Sequence, residues 1–297
     1  MTNIGDLTQG EVIALVNYMT QILLALIVLA QLIVTLTRAA ASAVRICEVF
    51  AVQPSMDDHE NQRQTPVLGA PKVQFENVSF SYGKAQEDAL SGIDFSVRPG
   101  ETIGIIGGTG AGKSTLVHLL PRFYDVGTGR ILLDGIDVRR YPFWQLRSKI
   151  GMVPQKAVLF RGTIRENMQW RKKDATDEEI YRALKIAQAD EVVRLKEGGL
   201  DAMVSQGGKN FSGGQRQRLT IARALVGNPE ILILDDSASA LDYATDARLR
   251  AALSKETKGM TVFLVSQRAA SLMNADRILV LDDGKPVGLG KHAELFD

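Results

Sequence analysis

The 297-residue sequence is poor in the residues that build disulfide frameworks and histidine-rich metal sites. It has one cysteine, Cys47, which excludes an internal disulfide and is typical of a reducing compartment. The three histidines, His59, His118 and His292, are far apart in the chain, which argues against a histidine-rich metal site. Lys and Arg number 35 against 34 Asp and Glu, so the sequence lacks the basic excess that would indicate a nucleic-acid partner.

Charged residues are also missing from residues 12–37, whose centre reads QILLALIVLAQLIVTL. This is long enough to cross a bilayer, which takes about 20 mostly apolar residues. A signal peptide is one alternative, but it would begin with basic residues, whereas Asp6 and Glu11 precede this segment. A buried core helix is the other alternative. The asparagine and two glutamines in the segment give it some weight, although they also suit a membrane helix packed against other helices.

Basic residues follow the apolar segment at Arg38 and Arg45. The positive-inside rule therefore places its C-terminal end in the cytoplasm, and we expect one spanning helix with a cytoplasmic extension. The next stretch is polar and contains three prolines, which indicates a linker. The predicted organisation is a membrane region at residues 1–50 with a span at about 12–37, a linker at 51–71, and a globular domain at 72–297.

Strand and helix patterns alternate in the globular domain. Strands are predicted at VQFENVSFSY, ETIGIIG, KIGMVPQ, EILILDD, MTVFLVS and DRILVLDDG, and helices at LVHLLPRFYD, DEEIYRALKIAQADEVVRL and GGQRQRLTIARALVG. Such alternation indicates an α/β fold with a mostly parallel sheet covered on both faces. The run ILIL is apolar at every position, as expected for a strand buried on both sides.

The strongest chemical motif is GGTGAGKST, which fits G-x-x-x-x-G-K-[ST] between a predicted strand and a predicted helix. Its glycines allow backbone N–H groups to turn towards phosphate oxygens, and the helix N-terminus adds a positive dipole end. Lys113 is expected to reach the outer phosphates of a nucleotide, and the Ser114 hydroxyl and Asp235 are expected to ligate Mg²⁺. The predicted phosphate loop comprises Gly107, Gly108, Thr109, Gly110, Ala111, Gly112, Lys113, Ser114 and Thr115.

A second glycine-rich turn, Ser212-Gly213-Gly214-Gln215, directly precedes a long basic helix. By the same physical reasoning, it is a helix N-terminus suited to an anion. One subunit has no evident need for two phosphate sites. Two subunits that face head to tail do, because each can offer its second turn to the nucleotide of the other.

With these motifs in this order, the chain from about residue 73 to residue 297 resembles the nucleotide-binding domain of an exporter-type ATP-binding cassette (ABC) transporter. The resemblance implies a P-loop NTPase core, an N-terminal antiparallel β subdomain and an α-helical signature subdomain. It also implies that the apolar segment is the last transmembrane helix of an exporter, and that most of the membrane domain is absent from this chain. The expected cofactors are ATP and Mg²⁺. The expected partners are a second ABC subunit, the other membrane helices and lipid of the plasma membrane.

The resemblance also assigns single residues. Tyr82 matches the aromatic residue that stacks on adenine, and Gln155 in VPQKAVLF matches the glutamine that contacts Mg²⁺ and water. FSGGQ matches the signature sequence, and SALD matches the D-loop, with Asp242 expected at a dimer interface.

Two positions depart from the pattern of a fully active member. The general base after the Mg²⁺ aspartate is usually glutamate, but here it is Asp236, whose side chain is one methylene shorter. After Ser266 the family usually has histidine, but here it has Gln267, whose amide cannot accept and release a proton near neutral pH. Together these changes predict a site that binds ATP firmly and hydrolyses it slowly.

We therefore expect the degenerate-site subunit of a heterodimeric exporter. The first alternative is a homodimeric exporter in which Asp236 is a sufficient base, and the second is a truncated, non-transporting remnant. A DNA-repair ATPase would have no membrane helix and would carry coiled-coil insertions, and a P-loop kinase would lack the signature sequence.

Overall fold

The computed structural model describes residues 8–54, 56–58, 63–83, 87–237, 241–256 and 259–295. The beginning of the chain, parts of the predicted linker (55 and 59–62) and two residues of the predicted D-loop (239 and 240) lie outside the described residues. The chain divides into two compact units, Met1–Asp57 and Asp58–Asp297.

The first unit is built on one long helix, α1, Gln9–Phe50. The backbone N–H of Thr8 donates to the Glu11 carboxylate at 2.7 Å, which closes the N-terminal turn of the helix. In the described part of the chain, α1 is the one helix long and apolar enough to cross a membrane. The predicted span at 12–37 and its extension to residue 50 lie in this single helix.

Twelve strands are present among the described residues of the second unit. They are β1 Val73–Phe80, β2 Leu90–Val97, β3 Thr102–Gly107, β4 Thr128–Leu133, β5 Ile136–Asp137, β6 Ile150–Val153, β7 Gly162–Thr163, β8 Met203–Val204, β9 Ile231–Asp235, β10 Thr261–Val265, β11 Arg277–Asp282 and β12 Lys285–Gly290. An antiparallel sheet has the order β2-β1-β4-β5, a six-stranded sheet has the order β12-β11-β3-β10-β9-β6, and β7 pairs with β8. The larger sheet is parallel except at its β11–β12 edge, so the predicted α/β class with an antiparallel subdomain is confirmed.

The helices of the second unit are α2 Lys113–Leu119, α3 Phe143–Lys149, α4 Ile164–Met168, α5 Asp177–Ile186, α6 Asp190–Arg194, α7 Gly213–Leu225, α8 Tyr243–Glu256 and α9 Ala269–Leu272. Two predicted helices are shorter than their sequence pattern. The first, α2, ends just before Pro121, which has no N–H to extend the helical hydrogen bonding. The run from 177 to 195 is divided into α5 and α6 at Gln188, whose φ is +56°.

Two hydrophobic cores lie on opposite faces of the six-stranded sheet. The central strand β9 contributes to both, because successive side chains of a strand point to opposite faces. Leu232 and Leu234 belong to the core that contains α4 to α7, whereas Ile231 and Ile233 belong to the core that contains α2 and the antiparallel sheet. Continuing the alternation places Asp235 on the same face as α2.

A cluster of four charged residues connects the antiparallel sheet to the larger sheet. Lys72 and Lys149 both contact Asp134, at 2.8 and 3.0 Å, and both also contact Glu230 just before β9. Burial alone would raise the pKa of the Glu230 carboxyl. Hydrogen bonds and charge from Lys149 and Lys72 together outweigh burial, so the pKa of Glu230 lies below its usual value. The contribution of Glu230 to stability therefore depends on the ionised form of its carboxyl.

Parallel pairing brings the carboxyl ends of four strands to one edge of the sheet. Val265 lies beside both Ile105 of β3 and Asp235 of β9, and Val153 of β6 lies beside Leu234. Ligands of open α/β sheets bind at this edge. The loop after β3, the two aspartates after ILIL, Gln155 and Gln267 all follow these strand ends.

Candidate nucleotide-binding site

The loop between β3 and α2 has a backbone that only glycine accommodates at its key positions. Gly110 and Gly112 have φ values of +86° and +88°. A Cβ on Gly112 would lie 2.7 Å from a methyl group of Leu90, and a Cβ on Gly107 would collide with the carbonyl of Leu281. By contrast, a Cβ on Gly108 would meet nothing within 4 Å. The loop is thus packed on its inner side and open on the other.

Lys113, the first residue of α2, folds back over this loop. Its Nζ donates to the backbone carbonyls of Gly107 at 2.9 Å and Gly108 at 2.5 Å, and the residue is only 8% exposed. The ammonium group is therefore held inside the loop, where the sequence motif predicts the outer phosphates of a nucleotide.

Ser114 and Asp235 form the predicted Mg²⁺ pair. The Ser114 hydroxyl donates to Oδ1 of Asp235 at 2.9 Å, and Asp235 is buried at the end of β9. The second carboxylate oxygen, Oδ2, lies 3.5 Å from Nε2 of His118, a residue that the sequence reasoning did not assign to the site. The packing of α2 on β9 brings the imidazole there, and the one local sequence signal was its spacing of four residues from Ser114.

Gln155 and Asp236 meet across the cleft. The amide Nε2 of Gln155 donates to Oδ2 of Asp236 at 3.2 Å. The backbone of Asp236 has a left-handed φ of +47°, and its N–H donates to the carbonyl of Val265 at 3.1 Å. The position of the Asp236 Cα is thus fixed by the neighbouring strand.

Tyr82 belongs to an aromatic group beside the loop. Its ring packs edge-on against Phe80 and Tyr124, with centroids 4.8 and 5.2 Å away. Its hydroxyl is hydrogen-bonded to the Thr115 hydroxyl at 3.0 Å, which ties the ring to α2. The ring remains partly exposed, so one of its surfaces is accessible to a base.

Most of these residues, although not Gly107, Gly108 or His118, line one cleft of about 350 Å³, within the range of roughly 300–1,000 Å³ that is typical of small-molecule sites. Gln267 also lies on its wall. Ala89 and Val265 were not predicted, because their apolar side chains carry no chemical signal. The lining is Tyr82, Ala89, Thr109, Gly110, Ala111, Gly112, Lys113, Ser114, Thr115, Gln155, Asp235, Asp236, Val265 and Gln267.

The signature residues and Asp242 are not among the residues that line this cleft. Ser212 caps α7: its backbone N–H donates to the Gln215 side chain at 2.9 Å, and its hydroxyl accepts from the Gln215 backbone N–H at 3.3 Å. Both Ser212 and Gly213 are exposed. A carboxylate oxygen of Asp242 accepts from the backbone N–H of Thr245 at 2.9 Å, and hydrogen bonds from Thr245 hold the pKa of Asp242 below its usual value.

The donor set fits a magnesium nucleotide. Mg²⁺ prefers hard oxygen ligands, and the Ser114 hydroxyl and Asp235 carboxylate supply two within hydrogen-bond distance of each other. The carbonyl oxygen of the Gln155 amide is a third candidate, because the amide nitrogen is the atom that contacts Asp236. The open outer side of the glycine loop and the buried Lys113 ammonium suit an anion of the phosphate type.

Comparison with known proteins identifies the same architecture. The family model described as ABC transporter matches residues 90–239, about half of the chain. Over 292 residues the chain is 44% identical to YfiB, an uncharacterised ABC transporter ATP-binding protein of Bacillus subtilis, and the match covers 98% of this chain and 50% of that protein.

Two further similarities concern exporters. A putative multidrug export ATP-binding/permease protein of Bacillus subtilis, YgaD, is 40% identical over 293 residues, with 99% of this chain and 50% of that protein covered. The solved structure of a bacterial Atm1-family ABC exporter with ATP bound matches with a TM-score of 0.82 and 34% identity, over 99% of this chain and 51% of that chain. The chain thus spans about half the length of the relatives that it matches.

Proposed function

The chain belongs to the ABC transporter family, and from this premise we propose that it is the ATP-binding part of an exporter subunit. In this role, ATP binding and hydrolysis between two nucleotide-binding domains drive a substrate across the membrane. The observation that carries the proposal is the single cleft in which the glycine loop, Lys113, Asp235 and Asp236 meet at the carboxyl ends of the parallel strands.

Each side chain of the cleft has a distinct role in binding. Tyr82 offers its ring to adenine, and the loop N–H groups and Lys113 hold the phosphates. Ser114 and Asp235 hold the metal ion, and Gln155 orients both the metal site and the neighbouring carboxylate. Bound Mg²⁺ would neutralise charge that develops on the phosphate oxygens during hydrolysis.

Hydrolysis at this site is slow in our proposal, because neither Asp236 nor Gln267 is suited to activate water. A carboxylate on a side chain one methylene shorter is withdrawn by roughly 1 Å, and a misplacement of this size can cost about 100-fold in rate. The Asp236 backbone is anchored to Val265, so it cannot advance to compensate. The Gln267 amide can donate a hydrogen bond to a phosphate but cannot transfer a proton.

The signature sequence serves the other subunit. Ser212 and Gln215 are exposed or half-exposed at the N-terminus of α7 and do not line their own cleft. An intact signature and a weakened catalytic pair in one chain fit a heterodimer in which this subunit completes the active site of its partner. Asp242 belongs to the same proposed interface.

Helix α1 is proposed as the last transmembrane helix, with the nucleotide-binding domain on the cytoplasmic side of the plasma membrane. Its described residues are exposed along the whole helix, and its central stretch carries no charge. Lipid and the remaining helices of a membrane domain are the partners that such a surface requires.

A homodimeric exporter is the second candidate, because the Asp236 carboxylate does line the cleft and contacts Gln155. The two candidates differ in the turnover of the chain when it is paired only with itself. A heterodimer subunit should bind ATP with Mg²⁺ but hydrolyse it slowly alone, and gain turnover with an ABC subunit that has glutamate and histidine at the equivalent positions.

In that mixed assembly, Ser212→Ala in this chain should reduce turnover at least ~10-fold, since the hydroxyl would contact the nucleotide in the competent site. Asp236→Asn should leave the mixed turnover almost unchanged. Rapid ATP hydrolysis by the chain alone, at rates typical of competent transporters, would show that the heterodimer proposal is wrong.

A further inference from the structure

We propose that His118 is a positioning residue that orients the Asp235 carboxylate for Mg²⁺. The inference rests on the proposed ATP site and deepens it, because it adds a residue that would touch the metal ligand rather than the metal. The supporting observation is that the imidazole contacts Oδ2 of Asp235, whereas Ser114 is hydrogen-bonded to Oδ1.

The two oxygens of Asp235 have different neighbours. Oδ1 accepts a hydrogen bond from the Ser114 hydroxyl at 2.9 Å, whereas Oδ2 lies 3.5 Å from Nε2 of His118. The Asp235 side chain is 4% exposed and the His118 side chain is 30% exposed. The imidazole is thus more exposed than the buried carboxylate that its Nε2 approaches. In the tautomer with the proton on Nε2, the ring can offer Oδ2 the positive end of an N–H dipole.

The geometry follows from the spacing of α2. Ser114 and His118 are four residues apart, and residues at this spacing lie on the same face of a helix, one turn from each other. Both side chains on that face contact Asp235 at the end of β9. One helix thus supplies both the hydroxyl for one carboxylate oxygen and the imidazole for the other.

The imidazole is itself restrained. Its ring packs against the edge of Phe123, with ring centroids 5.8 Å apart and an angle of 61° between the planes. Its neighbours Val117 and Leu119 are buried, which fixes the helix that carries it. The ring can therefore limit rotation of the carboxylate about its Cβ–Cγ bond.

A fixed carboxylate matters because a metal ligand must direct a lone pair at the metal. A carboxylate held on one side only, by Ser114, can rotate when the metal displaces that hydrogen bond. Contacts to metal ligands have measurable effects, and their loss typically costs about 10–100-fold in metal affinity. In the proposed site the nucleotide is held by the loop backbone and Lys113, whereas the contacts of the imidazole are with Asp235 and Phe123, so ATP binding without metal should not depend on the imidazole.

The test compares ATP binding with and without metal in the full 297-residue chain. Fluorescent ATP is titrated in EDTA, and then Mg²⁺ is titrated at a fixed, subsaturating ATP concentration. For His118→Ala, we expect the Mg²⁺ concentration at half-saturation to rise about 10–100-fold and the ATP affinity in EDTA to stay unchanged. His118→Gln keeps an N–H donor at a similar reach and should recover most of the Mg²⁺ response.

His292→Ala is the matched control, because it removes an imidazole from a segment near the C-terminus and should leave both titrations unchanged. If the unmodified chain shows no Mg²⁺-dependent ATP binding, the proposed function itself fails. If the unmodified chain does respond to Mg²⁺ and His118→Ala responds equally well, only the positioning role is overturned. An equal loss of ATP affinity with and without Mg²⁺, or no recovery in His118→Gln, would also overturn it, since the role of His118 would then be purely structural.

Discussion

If hydrolysis at this site is slow as we propose, replacing Asp236 with glutamate and Gln267 with histidine should make it fast. The backbone at 236 is held by its hydrogen bond to Val265 and by a left-handed φ of +47°. The added methylene must therefore carry the carboxylate outward by roughly 1 Å instead of being absorbed by a backbone shift. Such a correction can be worth about 100-fold in rate, or about 2.7 kcal/mol in the activation barrier.

The histidine should add to this gain, because a positioned acid–base group typically contributes about 10²–10⁴-fold. We expect the double variant to release phosphate at least ~100-fold faster than the unmodified chain. The assay is single-turnover hydrolysis with saturating Mg²⁺ and the chain in excess over ATP. The chain is paired with itself, so that in our proposal its intact signature completes the site.

Asp236→Asn is the matched control, since it removes the charge and keeps the size of the side chain. If Asp236 is too far withdrawn to act as a base, this variant should hydrolyse ATP about as slowly as the unmodified chain. A fall of ~100-fold in Asp236→Asn would identify Asp236 as a working base. No gain in the double variant would refute the geometric explanation.

Three further predictions concern stability. Gly112→Ala should lower the free energy of unfolding by about 2 kcal/mol or more, because it combines a φ of +88° with collisions below 3 Å, whereas Gly108→Ala should have little effect. Stability should also fall in acid: the contribution of Glu230, whose pKa is lowered on folding, is complete above about pH 4.3 and is lost as the pH drops through its lower folded pKa. Ser212→Ala should cost about 1 kcal/mol through the lost helix cap, without changing ATP affinity at the cleft of the same chain.

Chemical denaturation of the full chain, followed by circular dichroism, measures all three effects. For the acid effect, Glu230→Gln should flatten the dependence of stability on pH below about pH 4.3. Equal pH profiles for the two proteins would show that Glu230 is not the group responsible. Equal unfolding free energies for the alanine variants at 112 and 108 would contradict the packing account of the loop.

The central strands and the phosphate loop were predictable because their signals are local. The run ILIL is apolar throughout, and β9 is buried at every position of Ile231–Asp235. The glycine loop must follow a strand and precede a helix, and it lies between β3 and α2. Both features depend on residues that are adjacent in the sequence.

Other elements depend on long-range contacts. Strand β2 was not predicted, since Gly92, with φ of +63°, and shifts in its pairing with β1 interrupt its alternation. The helical run from residue 177 to residue 195 is interrupted at Gln188, whose backbone is left-handed. Because glutamine is not typical of that conformation, the sequence does not predict the interruption. In the sequence, His118 is an ordinary residue of a predicted helix. Its contact with Asp235 exists because α2 packs on β9. The catalytic roles of Asp236 and Gln267 remain predictions.

The reciprocal cap of Ser212 and Gln215 gives the start of α7 a fixed shape within the single chain. Association normally requires interface side chains to lose rotational freedom, at roughly 0.5–1.5 kcal/mol for each mobile residue. Ser212 and Gln215 have already lost much of this freedom on folding, so a nucleotide or subunit that docks against this turn meets a preorganised surface. Removing the cap should therefore slow productive association even where the folded fraction is unchanged.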